Sequence, residues 1–301
     1  MPLPQQITLG GRRVHRVGYG AMQLTDLDGL AVHPDHATEL LETALDHGVT
    51  LIDTAEFYGH GTLNRLLGKV LAGRQDVVVA TKIGAREDPE VRLRPAQQPG
   101  ELRTDVERNL RSLGVDRLDL VFLRRTDAAP GIIATGDQVV NLDDQLAELI
   151  RLRDEGKIAA IGLSNVSVEQ LDTAAGADIA AVQNAYSLAD RTSEPVLDAC
   201  REQGVAWMPY FPLGGNHAHL PSEVEAELGL DLTSVTGLPG VRAIAAELGL
   251  SPSQLGLAWH LHHYEHAVLI PGTRSLDHLA ENIAVADIEL PREVMARLLD
   301  A

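Results

Sequence analysis

One cysteine, Cys200, occurs in the 301 residues, so no intrachain disulfide can form and no thiolate cluster can hold a metal. It lies in DACREQG, a helical stretch, and reads as a buried, inert thiol. Aromatic residues make up only 3% of a chain that is 45% hydrophobic, so the core must be built from Leu, Val, Ile and Ala. Basic residues are also scarce. Against 43 acidic side chains stand 25 Lys and Arg, a net charge of -18. That excludes general nucleic-acid binding, because phosphates would be repelled, and any anionic ligand would need a local cationic site. No apolar run is long enough to span a bilayer. The opening MPLPQQITLGG lacks the charged and apolar regions of a signal peptide. The expectation is a cytoplasmic protein with neither membrane nor nucleic-acid partner. No apolar stripe is left over for a subunit interface, so a monomer is the default.

What the chain does have is alternation. Short apolar runs at 17–22, 50–53, 77–80, 118–123, 158–163, 179–182, 205–208 and 267–270 predict strands. Their continuous apolarity suits strands buried on both faces of a parallel sheet. Between them lie helical patterns that stop at Gly48, Gly114 and Gly156, the residue that best supplies a left-handed cap. Ser167 with Gln170 and Ser251 with Gln254 read as capping boxes, the second with Pro252 at the first helical position. Eight such units over residues 1–301 predict one α/β domain, a (β/α)8 barrel. An open doubly wound sheet would carry a G-x-G-x-x-G loop after its first strand, and none is present. A small hairpin around Gly10 and Gly11 would cover one barrel end. Residues 86–100 and 213–240 read as irregular, ligand-covering loops on the catalytic face.

Polar residues gather at the ends of the apolar runs: Asp53 with Tyr58 close behind, Lys82, Arg124, Ser164 and Asn165, Gln183, and Tyr210. In a barrel these positions converge on one mouth. A Tyr beside a Lys and an Asp makes chemical sense. A free phenol is too weak an acid, with a pKa of ~10, to protonate an alkoxide efficiently near neutrality. A neighbouring ammonium favours the phenolate, and a carboxylate holds that ammonium charged. Singly, each residue has a structural explanation: Asp53 a turn, Lys82 a salt bridge, Tyr58 packing. The set favours chemistry. The histidines at 216–219 and 260–263 lack a completing carboxylate and read as solvent-facing or packing groups, so no metal is expected.

The ordered segments GYGAMQL at 18–24, GVTLIDTAEFYG at 48–59, VVVATKIG at 77–84, IGLSNVS at 161–167, VQNAYS at 182–187, PYFPLGG at 209–215 and IPGTRSLDHLAEN at 270–282 resemble the aldo-keto reductase family over essentially the whole chain. The resemblance implies an oxidoreductase barrel that binds NADPH without a Rossmann fold and reduces a small aldehyde or ketone. It implies Tyr58 as proton donor, tuned by Lys82 and Asp53. Gly20 and Ala21 would line the cofactor, and Ser164, Asn165 and Gln183 would hold its carboxamide. Tyr210 would stack on the ring, with Leu213 and Gly214 along the pyrophosphate. Thr273 and Arg274 would meet the 2′-phosphate, with His278 nearby and Glu281 and Asn282 at the adenine. Ser275 would cap a helix N-terminus there, which attracts anions.

One position departs from the family pattern. Arg124 stands where a His is usual. Arg cannot shuttle protons, but it can stabilise negative charge on a carbonyl oxygen. Three readings stay open: a fixed electrophile in an active reductase, a selector of anionic substrates, or a barrel that senses NADPH without catalysis. The wording of several segments is similar to the bacterial pyridoxal reductase subgroup, which implies reduction of pyridoxal to pyridoxine. A ketone on a natural product or sugar intermediate is the rival substrate.

Overall fold

The computed structural model describes residues 5–25, 29–88, 90, 92–129, 131–214 and 233–300. Strands β1 (Gln6–Leu9) and β2 (Arg12–His15) form an antiparallel hairpin, turned by Gly10 and Gly11 at φ +55° and +78°, where glycine is favoured. Then come β3 (Tyr19–Gly20), β4 (Leu51–Asp53) and β5 (Val78–Ile83). A second antiparallel hairpin, β6 (Ala85–Asp88) and β7 (Arg92–Pro95), follows. β8 (Leu118–Arg124), β9 (Ile158–Ser164), β10 (Ile179–Gln183) and β11 (Ala206–Trp207) complete the set. One parallel sheet runs β3-β4-β5-β8-β9-β10-β11, with helices between successive strands.

The eighth barrel position is filled by 267–269, held by single bridges rather than a full strand. Ala267 bridges Trp207 and Leu269 bridges Val17, both parallel, so this segment joins the two edges of the sheet. The Gly18 amide donates to the Leu269 carbonyl at 2.7 Å, and the Val268 amide to the Trp207 carbonyl at 2.8 Å. Arg16 secures the seam. Its guanidinium is buried and donates to the carbonyls of Ala267 (3.0 Å), Leu261 (2.8 Å) and Tyr264 (2.8 Å). Burial lowers its pKa to about 10, with Glu265 acting the other way.

Because the strands are apolar on both faces, two cores form. Leu51, Val78, Ala80, Leu120, Phe122, Ala181 and Val268 cluster with Ile7, Leu9 and Val14 of the first hairpin, which therefore plugs the barrel interior. Alternate residues such as Ile52, Val121 and Ile161 pack outward on the helices. The helix Pro99–Leu113 shows the local logic: Leu102 and Val106 are buried, a capping box at Gln98 opens it, and Gly114 at φ +69° closes it. The boxes at Ser167 and Ser251 both form, with Pro252 in the first turn.

Two expectations need correction. Residues 21–24 form a 3-10 turn, Ala21–Leu24, rather than continuing the first strand. Much of 86–100 is ordered: it contributes to the β6–β7 hairpin and the start of the helix Pro99–Leu113, pinned by Arg86 to Asp105 at 2.5 Å and to the Glu101 carbonyl at 2.7 Å. Of the two readings of the histidines, His260 takes the packing one. It is buried beside Tyr186 and Trp259 and shares a 2.8 Å hydrogen bond with the Pro212 carbonyl. No metal-holding group occurs among the described residues, and 216–219 lie outside them.

Two stability predictions follow from these buried groups. Arg16→Met leaves three seam carbonyls without their donor, so urea unfolding should show a loss of about 2–4 kcal/mol. An unchanged midpoint would mean that Arg16 does not secure the seam. Burial lowers the His260 pKa to about 4, the Pro212 carbonyl opposing and His263 adding to the effect. The folded state thus binds fewer protons there than the unfolded chain, whose histidine titrates near ~6.5. The contribution is complete above ~6.5 and declines as pH falls toward about 4, by up to about 3 kcal/mol. Unfolding measured across that window should show a shallower pH dependence in His260→Gln. Identical slopes would contradict the assignment.

Candidate active site

Leu51 and Ala80 face the barrel interior, and side chains two residues apart share a strand face. Asp53 and Lys82, each two residues further on, therefore point inward at the C-terminal mouth. They meet there: Lys82 Nζ lies 2.5 Å from Asp53 Oδ1, with both side chains about 95% buried. Lys82 also donates to the Thr54 carbonyl at 3.0 Å, and the Tyr58 side chain lies close enough to raise its pKa. Burial alone would depress the Lys82 pKa. The charges of Asp53 and Tyr58 and their hydrogen bonds outweigh it, and the pKa stands above its ordinary value. The other Asp53 oxygen accepts from Gln183 Nε2 at 3.1 Å. Asp53, Lys82 and Gln183 thus form one hydrogen-bonded cluster, with the Tyr58 ring beside Lys82.

The surroundings hold that cluster still. Tyr58 sits on a short turn after β4, its amide bonded to the Ala55 carbonyl at 3.0 Å. Lys82 Nζ is 5.2 Å from the centre of its ring. Two residues on, the His60 amide and ring donate to or share protons with Glu87 at 3.1 and 2.7 Å, latching the turn to the β6–β7 hairpin. Behind the strands, Thr54, Asn64, Thr81 and Asn109 form a buried chain of side-chain hydrogen bonds of 2.7–3.1 Å. Sequence reasoning missed this support, because none of these four residues carries a recognisable motif.

Arg124 ends β8 directly opposite Ser164 of β9. Its side chain is half-buried and has no hydrogen bond or ion pair among the described residues. Gly131 crosses over it at φ +117°, where a Cβ would lie 2.5 Å from Nη2. Tyr210 lies close enough to feel its charge: burial pushes the Tyr210 pKa up, and Arg124 opposes that. The neighbouring Arg125 is fully committed, by contrast, to Asp127, Gln145 and the Val140 carbonyl. Two adjacent arginines are therefore divided, one structural and one available.

The remaining predicted positions form two groups. In the first, Ser164 and Asn165 are buried, and the Asn165 amide donates to the Gln183 carbonyl at 3.1 Å. Asn165 Nδ2 is occupied by the Ala128 carbonyl at 2.8 Å. Gln183 Oε1 is buried with no hydrogen-bond partner among the described residues. Leu213 and Gly214 follow Phe211, a bulky residue at φ +55°, a conformation that such side chains rarely adopt. Gly20 and Ala21 lie buried beneath the 270–272 segment. In the second group, Thr273 is buried and its carbonyl accepts from Tyr19 at 2.7 Å. Arg274 gives Nε to the Gln23 carbonyl (2.5 Å) and Nη2 to that of Thr25 (3.4 Å). Ser275 caps the helix Leu276–Ala284 through the His278 amide at 3.4 Å. Glu281 accepts from Ser251, and Asn282 stands half-buried on the same helix. A cavity of about 620 Å³ opens over the ends of β9 and β10, lined by Asn165, Ser167, Asn184, Phe211 and Gly214 but not by Tyr58 or Lys82.

Comparisons with known proteins identify the family. The family model described as the aldo/keto reductase family matches residues 16–301. Pyridoxine 4-dehydrogenase of Escherichia coli (strain K12) is 37% identical over 295 residues, covering 97% of this chain and 96% of that protein. Among solved structures, an aldo/keto reductase from Klebsiella pneumoniae in complex with NADP and acetate superposes with a TM-score of 0.77 at 26% identity, covering 98% of this chain and 94% of the other. A Klebsiella pneumoniae aldo-keto reductase in complex with NADPH gives 0.76 at 25% identity, covering 99% and 94%. With a barrel, an inward Asp–Lys–Tyr cluster and a family match across nearly its whole length, this chain belongs to the aldo/keto reductase family.

Proposed function

We propose that this protein reduces an aldehyde or ketone to an alcohol with NADPH, and that its substrate carries an ionisable oxygen beside the carbonyl, as pyridoxal does. The observation that carries the substrate reading is Arg124, half-buried at the mouth with a guanidinium that has no partner among the described residues. A charge-assisted hydrogen bond from it to an oxyanion would replace lost hydration and orient the carbonyl. The likeness to a pyridoxine 4-dehydrogenase supports the same reading.

The residues fit the cofactor. Gln183 Oε1 is a buried acceptor without a donor among the described residues, suited to the N–H of a carboxamide, with Ser164 and Asn165 beside it. Tyr210 offers a ring, and Leu213 and Gly214 a backbone for the pyrophosphate. Thr273, Arg274 and His278 would meet the 2′-phosphate, with Glu281 and Asn282 at the adenine. Two Arg274 nitrogens are given to carbonyls, which fixes the side chain and leaves its third for a phosphate. NADPH, when bound, supplies the hydride. Tyr58 then delivers a proton to the carbonyl oxygen. Lys82 stabilises the phenolate left behind, and Asp53 keeps Lys82 charged and in place. The same reading takes the protein as a cytoplasmic monomer.

Turnover is followed by loss of NADPH absorbance with pyridoxal and with benzaldehyde. Pyridoxal should be favoured, and Arg124→Gln should lower kcat/KM for pyridoxal about ten- to hundredfold while leaving benzaldehyde nearly unaffected. Equal losses on both would sink the selector role. Tyr58→Phe should lower kcat about 10²- to 10⁴-fold with NADPH affinity retained. Persistent turnover in that variant would remove Tyr58 as proton donor. Tight NADPH binding with no turnover of any carbonyl would favour a sensor instead.

A further inference from the structure

Outside the mouth, one surface recess runs against the charge of the whole molecule. Its volume is about 360 Å³, and it is lined by Glu56, Arg65, Arg108, Arg111 and Ser112. Arg65 lies on the helix Thr62–Val70, and Arg108 and Arg111 on the helix Pro99–Leu113. Three guanidinium groups thus face one carboxylate in a protein whose net charge is -18. Neutralisation inside the recess is incomplete. Glu56 pairs with Arg108 at 3.2 Å. Arg65 has one long bond, 3.4 Å, to the His60 carbonyl. Arg111 has no hydrogen bond or ion pair among the described residues. Glu107, on which the Arg111 charge also acts, is bonded to Lys157 at 2.9 Å.

We propose that this recess is a binding site for a small dianionic phosphate, inorganic or as a monoester. Converging guanidiniums present paired N–H donors that match phosphate oxygens in charge and geometry. Surface arginines without carboxylates repel each other, and an anion removes that repulsion. The site is also connected to the chemistry. Glu56 and His60, which Arg108 and Arg65 hold, bracket Tyr58 on its turn. An anion competes with Glu56 for Arg108 and with the His60 carbonyl for Arg65.

The test is calorimetric titration of inorganic phosphate, and separately of phenyl phosphate, into full-length protein saturated with NADP, so that phosphate-binding groups of the cofactor site are already occupied. One equivalent should bind. Arg65→Gln combined with Arg111→Gln, both exposed positions, should weaken binding at least about tenfold. Glu56→Gln, which removes the internal competitor, should strengthen it. Tighter binding of phenyl phosphate would identify a monoester as the ligand, and equal binding the free ion. No heat at millimolar phosphate, or affinity unchanged in the double variant, would overturn the proposal. None of these readouts depends on turnover, so failure of the substrate reading above would leave them unaffected.

Discussion

A lysine and an aspartate facing each other inside a barrel mouth impose most of what surrounds them. Removing two charges from water is expensive, and the pair is retained only if nearly every proton and lone pair is satisfied. Here Lys82 finds Asp53 and the Thr54 carbonyl, with the Tyr58 ring beside it, and Asp53 finds Gln183 as its second donor. The pair therefore dictates where Tyr58 must lie, how the turn at 55–61 must run, and which face of β10 must present an amide. Breaking either partner would leave an uncompensated buried charge.

Such a cluster needs strand ends that do not drift. The parallel sheet provides that on six pairings, and the segment 267–269 provides it on the two it bridges. Arg16 is central to the second. It is a cation without a bonded carboxylate, spent on three carbonyls at the end opposite the chemistry. The division of labour at 124–125 repeats the same economy. Arg125 ties the loop after β8 to Gln145 and Asp127, whereas the Arg124 side chain beside it has no hydrogen bond or ion pair among the described residues.

The barrel and the core of its site were legible in the sequence because both follow from local rules. Continuous apolar runs gave the parallel strands, and polar residues at their ends, Asp53 and Lys82 among them, gave the convergence on one barrel mouth. Glycine stops and capping boxes marked the helices. What stayed hidden depends on partners distant in sequence. The β6–β7 hairpin lies within a polar stretch that lacks apolar alternation, and bonds from Arg86 to Asp105 and to the Glu101 carbonyl pin it. His260 looked like one of several histidines until the fold buried it against Tyr186, Trp259 and the Pro212 carbonyl. The recess formed by Arg65, Arg108 and Arg111 arises from two helices meeting side by side, a juxtaposition that no linear pattern announces.

The central claim is that Tyr58 and Lys82 act as one proton-delivering unit. A double-mutant cycle on single-turnover reduction measures that directly, with NADPH and aldehyde both saturating and the variants Tyr58→Phe, Lys82→Met and their combination. The account predicts strong non-additivity: the double variant reduces no more slowly than the slower single variant. Losses that multiply would show two independent contributions and contradict it.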